Sequence, residues 1–257
     1  NKILLSITMI LILSLVSCTK DKSNSPEFPP APEPPVTPEN PTEYVNNFYP
    51  NEVKPGSSLQ CFAGAYYHKE VSSNDVWTGI EGKVVLPTID FDPNRVNPAK
   101  PQQSLDNPSV YLGGNMGGQE TDIGMTWEVI KDTNGNVTAD RRAFRPFMRR
   151  TKSGNQEANY DNAPAKAEYY WYPGEEITIS VRIDSKGILK FIVDGAGKHF
   201  EALYESAGYQ KGYKGQFKRV NAIDQVSNEG KPVQATKTKV INAEWKATYL
   251  YRLVDGN

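Results

Sequence analysis

Beyond about residue 43, apolar and polar residues alternate with a period of two, the signature of strands with one buried face. From Thr121 to Val129 one face carries Thr121, Ile123, Met125, Trp127 and Val129, while the other carries Glu120, Asp122, Gly124, Thr126 and Glu128. This predicts a half-buried strand with an acidic outer face. The segment Asp132–Gly135 that follows has turn chemistry. Ile177, Ile179, Val181 and Ile183 predict a second strand, Asp184-Ser-Lys-Gly187 a hairpin turn, and Leu189, Phe191 and Val193 the inward face of the return strand. Ile241, Ala243, Trp245, Ala247, Tyr249 and Tyr251 keep step near the C-terminus and read as one strand. Further strand candidates are 58–67, 76–90, 108–113 and 143–151. No stretch beyond two turns carries a helical period, and there is no internal repeat. Many strands joined by Gly, Asn and Asp turns predict an all-β sandwich or barrel.

The first residues follow another pattern. Lys2 precedes an apolar run from Ile3 to Val16, which reads as a secretory signal peptide. The run falls short of the roughly 20 residues a transmembrane helix needs. Its end, Leu15-Val16-Ser17-Cys18, resembles the lipobox of bacterial lipoproteins. The resemblance implies that the Cys18 thiol is acylated, that the chain is cut before Cys18, and that Cys18 holds the protein on a bilayer. Eight prolines then fall between Pro26 and Pro41. Proline fixes φ and removes a donor, so this stretch is expected to be an extended, disordered spacer. The organisation expected is a signal peptide over 1–17, a lipidated cysteine and linker over 18–42, and a β-sandwich over 43–257. The Lys-Asp-Lys after Cys18 resembles export tags of surface lipoproteins, which places the protein in a bacterial envelope, at the outer membrane or cell surface.

Charge and cysteine content narrow the chemistry. With 29 basic and 30 acidic residues the formal net charge is −1, which argues against nucleic acid as a partner. If lipid claims Cys18, Cys61 is left without a disulfide partner, so stability rests on the core. Two histidines, His68 and His199, give no zinc pattern and read as ordinary surface residues. No cofactor is called for, but a structural calcium stays open, because its ligands are scattered Asp, Asn and carbonyl oxygens.

The hairpin from Pro173 to Gly195, with Ile179-Ser-Val181 on its first strand and Val193-Asp-Gly195 closing the second, resembles that of concanavalin A-like lectin/glucanase domains, including laminin-G-like modules. The resemblance implies a two-sheet antiparallel jelly roll whose concave face binds or cleaves glycans. That superfamily hosts lectins, hydrolases, lyases and adhesion modules, so it does not choose among them.

Four constellations carry candidate chemistry. Glu120-Thr-Asp122-Ile-Gly124 resembles the Glu-x-Asp-x-Glu core of family 16 glycoside hydrolases, with glycine where the third carboxylate belongs. Glu128 lies about 13 Å farther along the strand, out of reach. A solvated acidic face, or a cation site with the Gly113-Gly114-Asn115 and Gly117-Gly118 segments, competes with it. Tyr209-Gln-Lys211-Gly-Tyr213-Lys-Gly-Gln216 resembles the Tyr-x-Lys-x-Gly-x-Tyr-x-Gln motif of family 7 alginate lyases, one residue short. That resemblance would make Tyr209, Lys211 and Tyr213 catalytic, sharing one strand face. The basic stretch Arg141, Arg142, Arg145, Arg149, Arg150 and Lys152 contains no acid. On a strand, Phe144 and Met148 face the core while Arg145, Phe147 and Arg149 face out. They would bind an anionic polymer or balance the acidic strand before them. The aromatic run Tyr169-Tyr-Trp171-Tyr172, with Tyr66, Tyr67 and Trp77, offers flat surfaces for sugar rings, provided half of it faces out.

The resulting expectation is a lipid-anchored, non-catalytic binding module for a glycan or for an envelope or host surface. Its candidate ligand-binding residues are Trp171, Tyr169, Arg145, Arg149, Glu120 and Asp122. A polysaccharide lyase or glycoside hydrolase on the same jelly roll, and a structural envelope lipoprotein, are the alternatives.

Overall fold

The computed structural model describes residues 67–98, 100–128, 143–225 and 234–253. The signal peptide, Cys18, the proline-rich linker, Cys61, Tyr66, nearly all of the 58–67 strand, the 132–135 turn, Arg141 and Arg142 lie outside the described residues.

In chain order the strands are β1 (Tyr67–Val71), β2 (Trp77–Val85), β3 (Thr88–Asp90), β4 (Val96–Asn97), β5 (Lys100–Ser104), β6 (Asp106–Met116), β7 (Gln119–Glu128), β8 (Ala143–Arg150), β9 (Asn159–Asn162), β10 (Glu176–Ser185), β11 (Ile188–Gly195), β12 (Lys198–Glu205), β13 (Gly215–Gln225), β14 (Lys239–Ile241) and β15 (Glu244–Arg252). Among the described residues the only helical segment is a 3₁₀ turn, Ala167–Tyr169. A six-stranded sheet runs β1-β13-β6-β7-β8-β9, and a five-stranded sheet runs β12-β11-β10-β2-β15. Every pairing in both is antiparallel. The sheets pack face to face as a jelly-roll sandwich, as the alternation and the hairpin predicted.

The core lies between the sheets. Ile123 and Met125 of β7, Phe144 and Met148 of β8, and Val110 and Leu112 of β6 meet Ile177, Ile179, Val181 and Ile183 of β10 and Leu189, Phe191 and Val193 of β11. Each such side chain contributes about 1.5–3 kcal/mol by leaving water. The solvent face of the five-stranded sheet carries charge ladders instead, such as Lys83–Glu176–Lys246 and Lys190–Glu201.

The C-terminal strand departs from its predicted phase. A bulge between Trp245 and Ala247 leaves Lys246 without a partner on β2. An extra residue in one strand moves every later side chain to the opposite face. Trp245 pairs with Val84 on the core side, whereas Tyr249 pairs with Glu81 and is 46% exposed. Tyr251 packs under the Arg182 guanidinium, 3.9 Å from its ring centre, rather than in the core. Ile241 belongs to a separate strand, β14, paired with β3.

Candidate functional site

The site is built on the face of the six-stranded sheet that points away from the core. Registers place Lys218 of β13 opposite Gly113 of β6, Gly113 opposite Asp122 of β7, Asp122 opposite Arg149 of β8, and Arg149 opposite Tyr160 of β9. These five residues form one row across five strands. Gly113 has no side chain, so the Lys218 stem crosses its position. The ammonium lies 2.6 Å from Asp122 Oδ1 and 2.5 Å from Glu120 Oε1. Arg149 Nη1 donates to Asp122 Oδ2 at 3.1 Å from the other side. Asp122 is therefore clamped between two cations.

The next row reads Val220, Tyr111, Gly124, Phe147 and Asn162. Here too a glycine opens the space. Tyr111 and Phe147 meet edge to face over Gly124 with ring centres 5.7 Å apart. A Cβ at Gly124 would sit 2.5 Å from the Tyr111 Cα. Phe147 stacks in turn on Tyr160 at 6.0 Å. Tyr111, Phe147, Val220 and Ala222 make a second, small apolar cluster on this face.

Burial divides the charged groups. The side chains of Lys218 and Asp122 are 5% and 12% exposed, those of Glu120 and Arg149 44% and 55%. Tyr160 is 53% exposed. Of the row and Glu120, water and ligands thus reach one carboxylate, one guanidinium and one phenol ring, with Lys69 of β1 and Arg145 of β8 half-buried on the same face. Burial pushes the Glu120 carboxyl upward, but the Lys218 ammonium, with help from Lys69 and Arg149, outweighs it and holds Glu120 below the usual range. Burial pulls Lys218 down, yet Asp122 and Glu120 hold it above the ordinary lysine value. At neutral pH Glu120 is therefore a fixed anion and Lys218 a fixed cation, poorly suited to proton transfer and well suited to recognition.

The other predicted residues lie outside this cluster. Arg145 shares this face and donates from Nη1 to the Ala163 carbonyl at 2.9 Å, tying β8 to the segment after β9. Trp171 is fully buried and is no sugar platform. Its Nε1 donates to the Gly195 carbonyl at 3.0 Å, and its backbone bridges to Phe144. Tyr169 packs edge to face on Phe200, at 5.3 Å, against the core. The aromatic run starts inside the 3₁₀ turn and is not a strand, so alternation does not apply to it. Tyr209 is fully buried, with its hydroxyl 2.8 Å from Thr121 Oγ1, and burial raises its pKa far above the tyrosine value. Lys211 and Tyr213 lie exposed in the loop between β12 and β13. The lyase-like trio is therefore not assembled on one strand face, and a phenol shut in the core cannot take a proton from a polymer. The hydrolase-like motif lacks its third carboxylate, and the Tyr111 backbone excludes any side chain at Gly124.

Gly113 and Gly114 lie inside β6, so only Gly117-Gly118 form a turn. The Lys218 ammonium occupies the bay between Glu120 and Asp122, so the cation beside these carboxylates is the protein's own. Among the described residues no group of three or more His, Cys, Asp or Glu could hold a metal. His199 faces solvent with Nδ1 2.6 Å from Asp194.

Sequence reasoning missed Lys218, Tyr111 and Tyr160. Strand β13 is flanked by β1 and β6 and buries residues of both faces, among them Phe217, Lys218, Val220, Asn221 and Ala222. Such a strand shows no alternation to read. An isolated buried-strand lysine, 98 residues from Glu120, leaves no local signal for its partner.

No protein-family model matches the chain, and no curated protein matches it significantly. Solved structures do show similarity. A scytalido-glutamic peptidase bound to a peptide-based transition-state analogue is 11% identical over 74% of this chain and 80% of its own, with a TM-score of 0.43. A Bacteroides ovatus glycoside hydrolase family 16 endo-glucanase is 13% identical over 71% and 74%, with a TM-score of 0.41. The alginate lyase from Klebsiella pneumoniae is 10% identical over 68% and 60%, with a TM-score of 0.42. At these identities and scores the likeness assigns no activity to this chain.

Proposed function

We propose that this protein is a lipid-anchored, exported binding module that recognises a glycan or another surface polymer and does not turn it over. One observation carries the reading: Glu120, Arg149 and Tyr160 stand together, exposed, on one sheet face, the two charges fixed by the buried Lys218–Asp122 pair and the phenol ring by its stack on Phe147. A phenol ring suits the flat face of a sugar, a carboxylate accepts from its hydroxyls, and a guanidinium forks onto hydroxyl, carboxylate or sulfate oxygens. The fixed protonation of Glu120 and Lys218 favours binding over acid–base chemistry. Leu15-Val16-Ser17-Cys18 and the prolines that follow support a processed, acylated Cys18 and a spacer that holds the sandwich off a bacterial envelope membrane.

The test is a glycan array that includes uronate and sulfated polymers, run with wild type, Tyr160→Ala and Arg149→Ala. Binding by wild type and its loss in both variants supports the site; equal binding by all three rejects it. Mass spectrometry of the mature N-terminus, with fractionation of Cys18→Ser, tests the anchor separately. An unmodified leader, or a Cys18→Ser protein still pelleting with membranes, rejects that part.

A further inference from the structure

The open edges of the two sheets are not alike. The six-stranded sheet ends on β1 and β9, the five-stranded sheet on β12 and β15. An edge strand presents unpaired backbone donors and acceptors, and proteins blunt such edges with charge or by keeping them short. Strand β9 has four residues, Asp161 among them. Strand β1 carries His68, Lys69 and Glu70, and β12 carries Lys198, His199, Glu201 and Glu205. Strand β15 differs. From Ala247 to Tyr251 it holds no charge, and among the described residues no strand pairs with its outer side. Eight large apolar side chains are exposed among the described residues, and three of them, Tyr249, Leu250 and Leu253, lie on this stretch or directly after it.

The strand is also held in shape for pairing. Its flanking charges are satisfied within the chain: Lys246 lies 2.8 Å from Glu176 at one end, and Arg252 lies 2.6 Å from Asp75 at the other. The Arg182 guanidinium pins the Tyr251 ring. Tyr249 and Tyr251 stand on the solvent face, opposite Glu81 and Gly79, while Leu250 stands on the inner face opposite Ile80. Ile80 is buried and Leu250 is not, so one more strand beside β15 would complete the inner face.

Charge selects the partner. Of the four edges this chain offers, β15 alone presents an uncharged run, so its match is β15 of a second copy, which closes the pair about a two-fold axis. An axis normal to the sheet keeps faces unchanged, so it must pass through a residue. On Tyr249 it would set Lys246 against the partner's Arg252, a like-charge pair that destabilises. On Thr248 it would run the pairing into the bulge after Trp245. On Leu250 no two charges meet. Tyr249 then lies opposite the partner's Tyr251 on the solvent face, an aromatic pair of the stabilising kind, and Leu250 meets the partner's Leu250 on the inner face. We propose that β15 is a dimerisation edge, through which two copies of this chain pair antiparallel about Leu250 and merge their five-stranded sheets into one. Both six-stranded sheets then lie on the same side, and their two Glu120–Arg149–Tyr160 faces point the same way, as bivalent attachment to one surface requires.

The test uses the chain from residue 18 onward with Cys18→Ser and Cys61→Ser, so that neither lipid nor a disulfide drives association. Sedimentation velocity is expected to show monomer passing to dimer between about 1 and 100 μM, the range suited to a small interface. Tyr249→Lys, on the solvent face, is expected to weaken the dimer about tenfold or more, and Leu203→Lys, on the opposite edge of the same sheet, to leave it unchanged. Leu250→Cys in the same background is expected to cross-link on mild oxidation. Ala247→Cys is not, because the two copies of that position lie about 20 Å apart. A monomer throughout that range with no cross-link through Leu250→Cys overturns the proposal. So does a dimer indifferent to Tyr249→Lys, or cross-linking through Ala247→Cys at an equal rate. A monomeric parent that loses stability to urea in Tyr249→Lys shows that the chain covers this edge itself, and overturns it too.

Discussion

Replacing Lys218 by methionine keeps the aliphatic stem across Gly113 and removes the ammonium. Removing one partner of a buried ion pair costs about 3–5 kcal/mol, because the partner charge stays desolvated. Two features lower that figure. Arg149 still reaches Asp122 at 3.1 Å, and Glu120, with its side chain 44% exposed, regains water. We expect a loss of about 2–3 kcal/mol, which for a sandwich of this size lowers Tm by roughly 4–12 °C. Urea unfolding followed by tryptophan fluorescence measures the loss directly. A second substitution separates the charge argument from packing: Asp122→Asn in the Lys218→Met background removes the stranded carboxylate and is expected to return at least 1 kcal/mol. A Lys218→Met protein within about 0.5 kcal/mol of wild type, or a double variant less stable than both singles, would refute the buried-pair account.

Acid titration tests the same cluster through Glu120, the second carboxylate on the Lys218 ammonium. The folded-state carboxyl of Glu120 sits below its unfolded value, so its contribution is complete above the unfolded pKa and is lost as pH falls through the folded one. Glu120→Gln should flatten the acid limb of the stability curve, and an unchanged limb contradicts the lowered pKa. Tyr209→Phe leaves Thr121 Oγ1 without its buried partner and should cost about 1–2 kcal/mol in urea unfolding while leaving polymer binding intact; loss of binding without loss of stability would return Tyr209 to the site. Gly124→Glu, which restores the third acid of the hydrolase-like motif, should unfold the sheet locally rather than create an enzyme, because the new Cβ meets the Tyr111 backbone. A folded Gly124→Glu protein by circular dichroism refutes that steric argument.

Alternation along β7, β8, β10 and β11 was enough to predict four strands, their inward faces and the outward set Glu120, Asp122, Arg145, Phe147 and Arg149. It was enough because a two-residue period follows from the pleat itself and needs no knowledge of neighbours. Even the pairing of Asp122 with Arg149 was within reach, since β7 and β8 are consecutive in the sheet. The errors lie where local pattern and tertiary setting part. Trp171 and Tyr209 read as exposed chemistry because aromatic side chains serve cores and surfaces alike, and burial is set by what packs against them. Tyr249 and Tyr251 changed face through a single bulge, which leaves no mark in residue type.

The decisive residue of the outer face came from farthest away. Lys218 reaches Glu120 and Asp122 only because β13 lies beside β6 and because Gly113 leaves the intervening position empty. Composition and periodicity determined an all-β chain with one acidic and one basic strand face. Sheet order determined that these faces become one clamped, aromatic-edged surface, since strand neighbours are chosen by the closure of the whole sandwich and not by any segment alone.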